Sequence, residues 1–210
     1  MLETLELESK KIVSDFKILK SLNIPPNTQF CGIDEAGRGC VAGSLFVCGV
    51  VLEKLPESLK NSLRDSKTLS QKKRDALANI LKDYATFKII KKEANEIDTK
   101  GLSACIKEAL QEILSTIYAP FYIFDGNCNF KIPHLKTLTK GDSKLHTISA
   151  ASILAKSAKD AEMLEFHALY PHYDFARNKG YGTKAHIQAI ATHGLSPIHR
   201  KSYRIKSLDF

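Results

Sequence analysis

No two cysteines stand in CxxC spacing, and no apolar run is longer than the eight residues from Leu45 to Leu52. The five cysteines, Cys31, Cys40, Cys48, Cys105 and Cys128, are odd in number, and three sit in apolar runs. That pattern excludes a disulfide framework and a zinc site and points to reduced thiols in the cytoplasm. Eight apolar residues fall far short of the ~20 that a membrane-spanning helix needs. The N-terminal MLETLELESKKIV is charged throughout and has no apolar core, so it does not read as a secretory signal. No repeat and no low-complexity tract is present.

What the chain has is a globular balance and an excess of positive charge. Its 210 residues are 43% hydrophobic and 26% charged. That length fits one domain with a small appendage, large enough to fold without a staple. Lys and Arg number 31 against 23 Asp and Glu, a net +8, and the pI is about 9.2. Such a balance permits a polyanionic partner without proving one. The excess is uneven: residues 140–210 hold 11 basic against 6 acidic residues, and six of the seven histidines.

Periodicity gives the order of elements. Residues 2–22 carry an amphipathic helical pattern that ends at Pro25-Pro26. Residues 28–34 and 43–52 read as strands joined by the short EAGRGCVA, which favours an antiparallel pair. A helix is expected over 70–84 with Ser70 as N-cap and Leu77, Ile80, Leu81 and Tyr84 on its apolar face. A strand over 86–91 and a helix over about 101–117 follow. Then come the apolar strand FYIFD at 121–125, a short strand at 135–139, and helices over about 146–168 and 183–193. Strands and helices interleave after an opening hairpin, which predicts an α/β domain with a mixed sheet.

Two of these strands end in acids: Asp34 and Glu35 after FCGI, and Asp125 after FYIF. A third acid site, Asp142, lies in the polar loop TKGDSK. In open α/β sheets functional groups gather at strand ends. Carboxylates converging there would repel one another unless a cation neutralised them, and an all-oxygen set suits Mg²⁺ or Mn²⁺. The bland alternative is that Asp34 and Asp125 only cap turns. Gly37-Arg38-Gly39 and Gly43 mimic a dinucleotide loop, but such a loop must open a helix, and here a strand pattern follows. Glycines flanking one Arg beside acids instead suit close approach of a sugar-phosphate chain.

Six segments in order carry a family resemblance: GIDEAGRG at 32–39, DSKTLS at 65–70, FDGN at 124–127, KGDSKLHTISAASILAKSAKD at 140–160, YPHYDFARNKGYGT at 170–183, and HGLSPIHRKSY at 193–203. The chain resembles the bacterial ribonuclease HII family, a type 2 ribonuclease H, from about residue 31 to 203. The resemblance implies a ribonuclease H-like fold with a five-stranded mixed sheet flanked by helices. It divides the chain into an N-terminal amphipathic segment (1–27), a catalytic domain (28–182) and a helical C-terminal extension (183–210). It implies cleavage of RNA in RNA–DNA hybrids and incision 5′ to single ribonucleotides in duplex DNA, leaving 3′-hydroxyl and 5′-phosphate ends. Two Mg²⁺ or Mn²⁺ ions would be held by the catalytic Asp34, Glu35, Asp125 and Asp142. Gly37, Arg38 and Gly39 would contact the 2′-hydroxyl and phosphate at the RNA–DNA junction, Tyr181 would pack on the neighbouring sugar, and Lys67 would bind substrate. Lys144, Lys179, Lys184 and Arg200 are further candidates for phosphate contacts.

The sequence departs from the family pattern where Asp174 replaces the usual Gly and Asn178 a frequent His. A monomer is expected. The terminal Ser207-Leu208-Asp209-Phe210 faintly resembles the short apolar motifs that bind sliding clamps. Ribonuclease HIII shares the core fold but carries a substantial N-terminal domain, whereas about 30 residues precede the first strand here. A non-catalytic nucleic-acid-binding module would suit the net charge equally but not four intact acids, which repel phosphate unless metals are bound.

Overall fold

The chain enters the middle of a sheet at its first strand, β1 (Cys31–Ala36), and the sheet grows from there to both sides. The computed structural model describes residues 16–64 and 69–204. Strand β1 pairs antiparallel with β2 (Leu45–Leu52), and β2 antiparallel with β3 (Ala85–Lys92). On its other side β1 pairs parallel with β4 (Tyr122–Phe124), and β4 parallel with β5 (Leu135–Thr137). The order is therefore β3-β2-β1-β4-β5, a five-stranded mixed sheet.

Both faces are covered, which is why β2 is an almost unbroken apolar run. One face receives α4 (Leu102–Thr116), whose Cys105, Ile106, Ala109, Leu110 and Ile113 pack with Cys31, Ile33, Leu45 and Phe124. The other face receives the long α5 (His146–Leu169) and, beside it, α1 (Glu57–Arg64) and α2 (Gln71–Leu81). The Ser149-Ala150-Ala151 stretch lets α5 lie close to the strands: a Cβ on Gly32 would come 2.8 Å from the Ile148 nitrogen. A larger residue at 32 would push the helix off the central strand.

Most expected elements are present, and the differences have physical causes. Ser70 does cap α2, accepting from the Lys73 N–H at 3.4 Å. Its buried residues, however, are Arg74, Leu77, Ala78 and Leu81, while Ile80 is exposed. Leu77 and Leu81 face inward and Tyr84 packs on the core as expected; Ile80 alone turns out, and Arg74 joins the buried face, held by an acid on α5. The helix expected over 101–117 is present as α4, and a further short helix not expected from the sequence, α3 (Ala94–Lys100), precedes it; the two meet at Gly101, whose φ of 84° only glycine adopts easily. The start of α3 is marked by a capping box between Glu93 and Glu96. Helix α1 is not expected from the sequence: it is amphipathic, with Leu59 and Leu63 on its inner side, but eight residues with two apolar anchors are too short for the pattern to stand out. Of the N-terminal helix, residues 16–21 are helical, and the rest lies outside the described residues. Two short helices complete the chain, α6 (Phe175–Asn178) and α7 (Lys184–His193). Among the described residues no helix is long and apolar enough to cross a membrane.

Candidate active site

The acids gather where β1 and β4 end side by side. Successive residues of a strand face opposite sides, so Asp34 looks toward α5 and Glu35 toward the other face. Asp125 follows β4 directly, and its N–H donates to the Ile33 carbonyl at 2.8 Å, extending the β1–β4 ladder by one residue. Asp142 sits in a 3₁₀ turn (Gly141–Ser143) after β5, and its backbone N–H donates to Asp125 Oδ2 at 3.1 Å. Strand register thus fixes Asp34, Glu35 and Asp125, and a backbone hydrogen bond ties the Asp142 turn to them.

Their electrostatics are unfavourable as they stand. Asp34 is 9% exposed. Burial holds its carboxyl well above the usual range, a hydrogen bond from Ser152 opposes the rise, and the charges of Glu35 and Asp125 add to it. Burial also raises Glu35, opposed by Arg38 and assisted by Asp125. Arg38 Nη1 stands 3.4 Å from Glu35 Oε1, whereas the buried Oε2 has no partner. All donors are carboxylate oxygens, one of them orphaned, and two carboxyls suffer from burial and like charge. A hard divalent cation relieves both conditions, so the residues fit Mg²⁺ or Mn²⁺. Among the described residues no three acidic, His or Cys side chains already close on one point as a finished cage.

The Gly37-Arg38-Gly39 loop leaves β1 beside the acids and is held by its backbone. The Arg38 carbonyl accepts from Arg200 Nη1 at 3.1 Å and from the Tyr203 hydroxyl at 3.0 Å. Gly37 has a φ of 91°, and a Cβ there would meet the Ser44 carbonyl oxygen at 2.6 Å. The loop is tied to the Tyr181 segment, since the Val41 and Ala42 N–H groups donate to the Gly180 carbonyl at 2.9 and 3.2 Å. The Tyr181 ring is 45% exposed beside the loop. Lys67 lies outside the described residues, as do Ser207 to Phe210.

Several residues hold positions that periodicity does not signal. Arg200, a candidate for phosphate contact, is 1% exposed and turned inward, donating through Nε to the Gly43 carbonyl at 3.0 Å. It braces the loop from within. Lys144 is exposed, with its ammonium 2.7 Å from the Thr139 carbonyl. His186 and His199 form a fully buried pair, Nε2 to Nε2 at 3.0 Å. Asp160 is likewise buried, against Arg74 Nη2 at 2.6 Å. Ser149 is in the core, donating to the Leu63 carbonyl at 2.7 Å. Asn178 caps its own turn, donating to the Tyr173 carbonyl and accepting from the Gly180 N–H. The one hint of these roles was Lys159-Asp160, a charged pair in a helix otherwise rich in Ala and Ser.

Acids at the carboxyl ends of adjacent strands in this mixed five-stranded sheet define a ribonuclease H-like nuclease. The family model of ribonuclease HII matches residues 31–206. A ribonuclease HII of Helicobacter acinonychis is 50% identical over 186 residues, covering 84% of this chain and 96% of that one. One from Sulfurovum sp. is 45% identical over 179 residues, covering 85% and 93%. Among solved structures, ribonuclease H2 of Pyrococcus horikoshii superposes with a TM-score of 0.72 at 25% identity, over 83% of this chain and 93% of that one. Ribonuclease HII of Archaeoglobus fulgidus, solved with PCNA, gives 0.71 at 25% identity over 82% and 92%. A ribonuclease HIII solved with Mn²⁺ shares the fold at a TM-score of 0.62 and 17% identity, over 80% of this chain and 63% of that one. The chain belongs to the ribonuclease HII family. It is an endoribonuclease of the ribonuclease H type, acting on RNA–DNA hybrids, in a family that is in general metal-dependent.

Proposed function

We propose that the chain incises 5′ to ribonucleotides embedded in duplex DNA as well as cutting RNA in hybrids, leaving 3′-hydroxyl and 5′-phosphate ends. The observation that carries the reading is the acid cluster: a 9%-exposed Asp34, an orphaned Glu35 oxygen, and Asp125 one ladder step away. Asp34, Glu35, Asp125 and Asp142 would hold two Mg²⁺ or Mn²⁺ ions, which when bound supply an activated water and stabilise the leaving 3′-oxygen. The chain's own residues do the rest. Asp34 and Glu35, adjacent at one strand end with Asp125 beside them, would supply carboxylates to the ions that meet the scissile phosphate. Arg38 would meet a neighbouring phosphate, and the open space at Gly39 admits the sugar edge, where the 2′-hydroxyl separates RNA from DNA. Tyr181 offers its exposed face to the adjacent deoxyribose. Lys67 is carried as a phosphate contact on the motif alone.

The catalytic unit is taken as residues 28–182, with 1–27 and 183–210 flanking it, acting as a monomer. A clamp interaction through Ser207 to Phe210 is proposed on the terminal motif, with support from the PCNA complex of the Archaeoglobus relative. Unchanged clamp affinity after deleting 207–210 would discard it. The main test uses a DNA duplex with one ribonucleotide, with and without Mg²⁺. Metal-dependent incision on the 5′ side of the ribose is expected; cleavage confined to continuous hybrid would refute the wider reading.

A further inference from the structure

Beneath Tyr181 lies a charge that the reaction does not use directly. Lys159, on α5, is 2% exposed, among the largest wholly buried side chains of the protein. Its ammonium stands 2.8 Å from Asp160 Oδ1, 3.2 Å from the Lys179 carbonyl oxygen, and 4.9 Å from the centre of the Tyr181 ring. Asp160 in turn receives Arg74 Nη2 from α2 on its other oxygen, at 2.6 Å. Two cations thus share one carboxylate in the interior, a trio of net positive charge. An apolar side chain of the same length would fill this space at lower desolvation cost, so packing alone does not account for a lysine here.

What the ammonium does is set by its neighbours. It lies over one face of the Tyr181 ring, where an aromatic ring attracts a cation, and the tyrosine remains 45% exposed. Its stem runs beside the loop of Gly37: a Cβ on Gly37 would stand 3.5 Å from Lys159 Cδ. The Lys179 carbonyl that it holds belongs to the turn that delivers Gly180 and Tyr181. One side chain therefore holds the ring and the turn carrying the ring, and its stem lies alongside the loop carrying Arg38 and Gly39.

We propose that Lys159, anchored by Asp160 and Arg74, is a positioning residue that locks Tyr181 and the Gly37–Gly39 loop into one rigid grip on the RNA–DNA junction. The proposal deepens the reading above and rests on it, because it takes Tyr181 as a substrate contact. It makes Lys159 a determinant of specificity. A junction presents a deoxyribose to Tyr181, whereas a continuous RNA strand presents none. Loosening the ring therefore weakens cleavage at a single ribonucleotide more than cleavage of a continuous hybrid.

The test compares kcat and KM on both substrates for Lys159→Met, Lys159→Arg, Tyr181→Ala and the double variant Lys159→Met/Tyr181→Ala. Lys159→Met should lose roughly tenfold in kcat/KM on the single-ribonucleotide duplex, the scale of one lost cation–ring contact, mostly through KM. On continuous hybrid its loss should be under about threefold. Lys159→Arg, which keeps a cation over the ring, should restore the preference. The double variant should be no worse than Tyr181→Ala alone, because the two residues act as one. Asp160→Asn releases the anchor and is held to the same readings if Lys159→Met does not fold. Equal losses on both substrates, or additive losses in the double variant, would overturn the proposal while leaving Tyr181 as a contact. A Tyr181→Ala enzyme with unaltered preference would overturn the Tyr181 reading and this proposal together.

Discussion

Gly39 is a glycine that the fold does not need. A Cβ placed there meets nothing within 4 Å, and its backbone lies outside the left-handed region, unlike Gly37 at φ 91°. Gly39→Ala should therefore hold or raise the melting temperature, by up to about 4 °C, since neither strain nor overpacking is introduced and alanine narrows the unfolded ensemble. Under the proposed reading it should still cut kcat/KM on hybrid by ten-fold or more, because the methyl occupies space reserved for the sugar edge. Equal activity would remove Gly39 from the substrate site. The same contrast shows what could be read at this scale. Asp34 and Asp125 were legible because an apolar strand that ends on an acid is a local pattern. Arg200 was not: its partners, the Gly43 and Arg38 carbonyls, are 157 and 162 residues away in the chain. Whether a charged side chain turns inward depends on such distant acceptors, which periodicity cannot see.

Elements were legible wherever their own apolar stripe dominated, as in β2, β3 and α5, and less so where backbone geometry or a buried ion intervened. Gly101 separates the expected α4 from an unexpected α3, and Arg74 joins the buried face of α2 against Asp160. At the start of α6, Asp174 adopts φ 54° and ψ 42°, a left-handed conformation that favours glycine. A side chain there is strained, so Asp174→Gly should stabilise by about 0.5–1 kcal/mol, glycine's extra unfolded entropy offsetting part of the relief. In a chain of this size that is roughly 1–4 °C, readable by calorimetry. Helix α7 carries a second device. The Ser196 N–H donates to His199 Nδ1 at 2.9 Å, so His199 carries its proton on Nε2 and donates it to His186 Nε2. His186 then donates from Nδ1 to the Tyr181 carbonyl at 2.8 Å. Every ring nitrogen is used only while both rings are neutral. Burial, and then the neighbouring His186, push His199 down to about 4. The ordinary value is 6.5, so the unfolded chain binds the proton first as pH falls. The stabilisation is complete above about pH 6.5 and is lost toward pH 4, up to about 3 kcal/mol. Urea unfolding at pH 7 and pH 5 should show that fall, and His199→Gln should flatten it; an unchanged pH slope would assign it elsewhere.

At the scale of the molecule, the net charge of +8 misleads if read as a simple sum. Arg74, Lys159 and Arg200 are buried and spend their charge on Asp160 and on backbone carbonyls. The acids at the end of β1, by contrast, are confined together with little to neutralise them beyond Arg38. The fold therefore carries a local electrostatic cost at the place where metal binding is proposed, and it recovers that cost when a cation is bound. Binding to the folded chain alone adds RT ln(1 + [M]/Kd), about 3 kcal/mol at a hundred times Kd. Adding Mg²⁺ or Mn²⁺ to chelator-treated protein should raise the melting temperature by roughly 5–10 °C, while K⁺ at equal ionic strength should not. Asp34→Asn removes one buried charge without altering shape. In chelator it should melt above the parent, because the repulsion from Glu35 and Asp125 is relieved; with Mg²⁺ it should gain little, and it should not cleave hybrid. The crossing of these two curves is the signature of acids held in place for a cation. A variant that melts below the parent in chelator, yet still shifts fully with Mg²⁺, would place the metal away from Asp34.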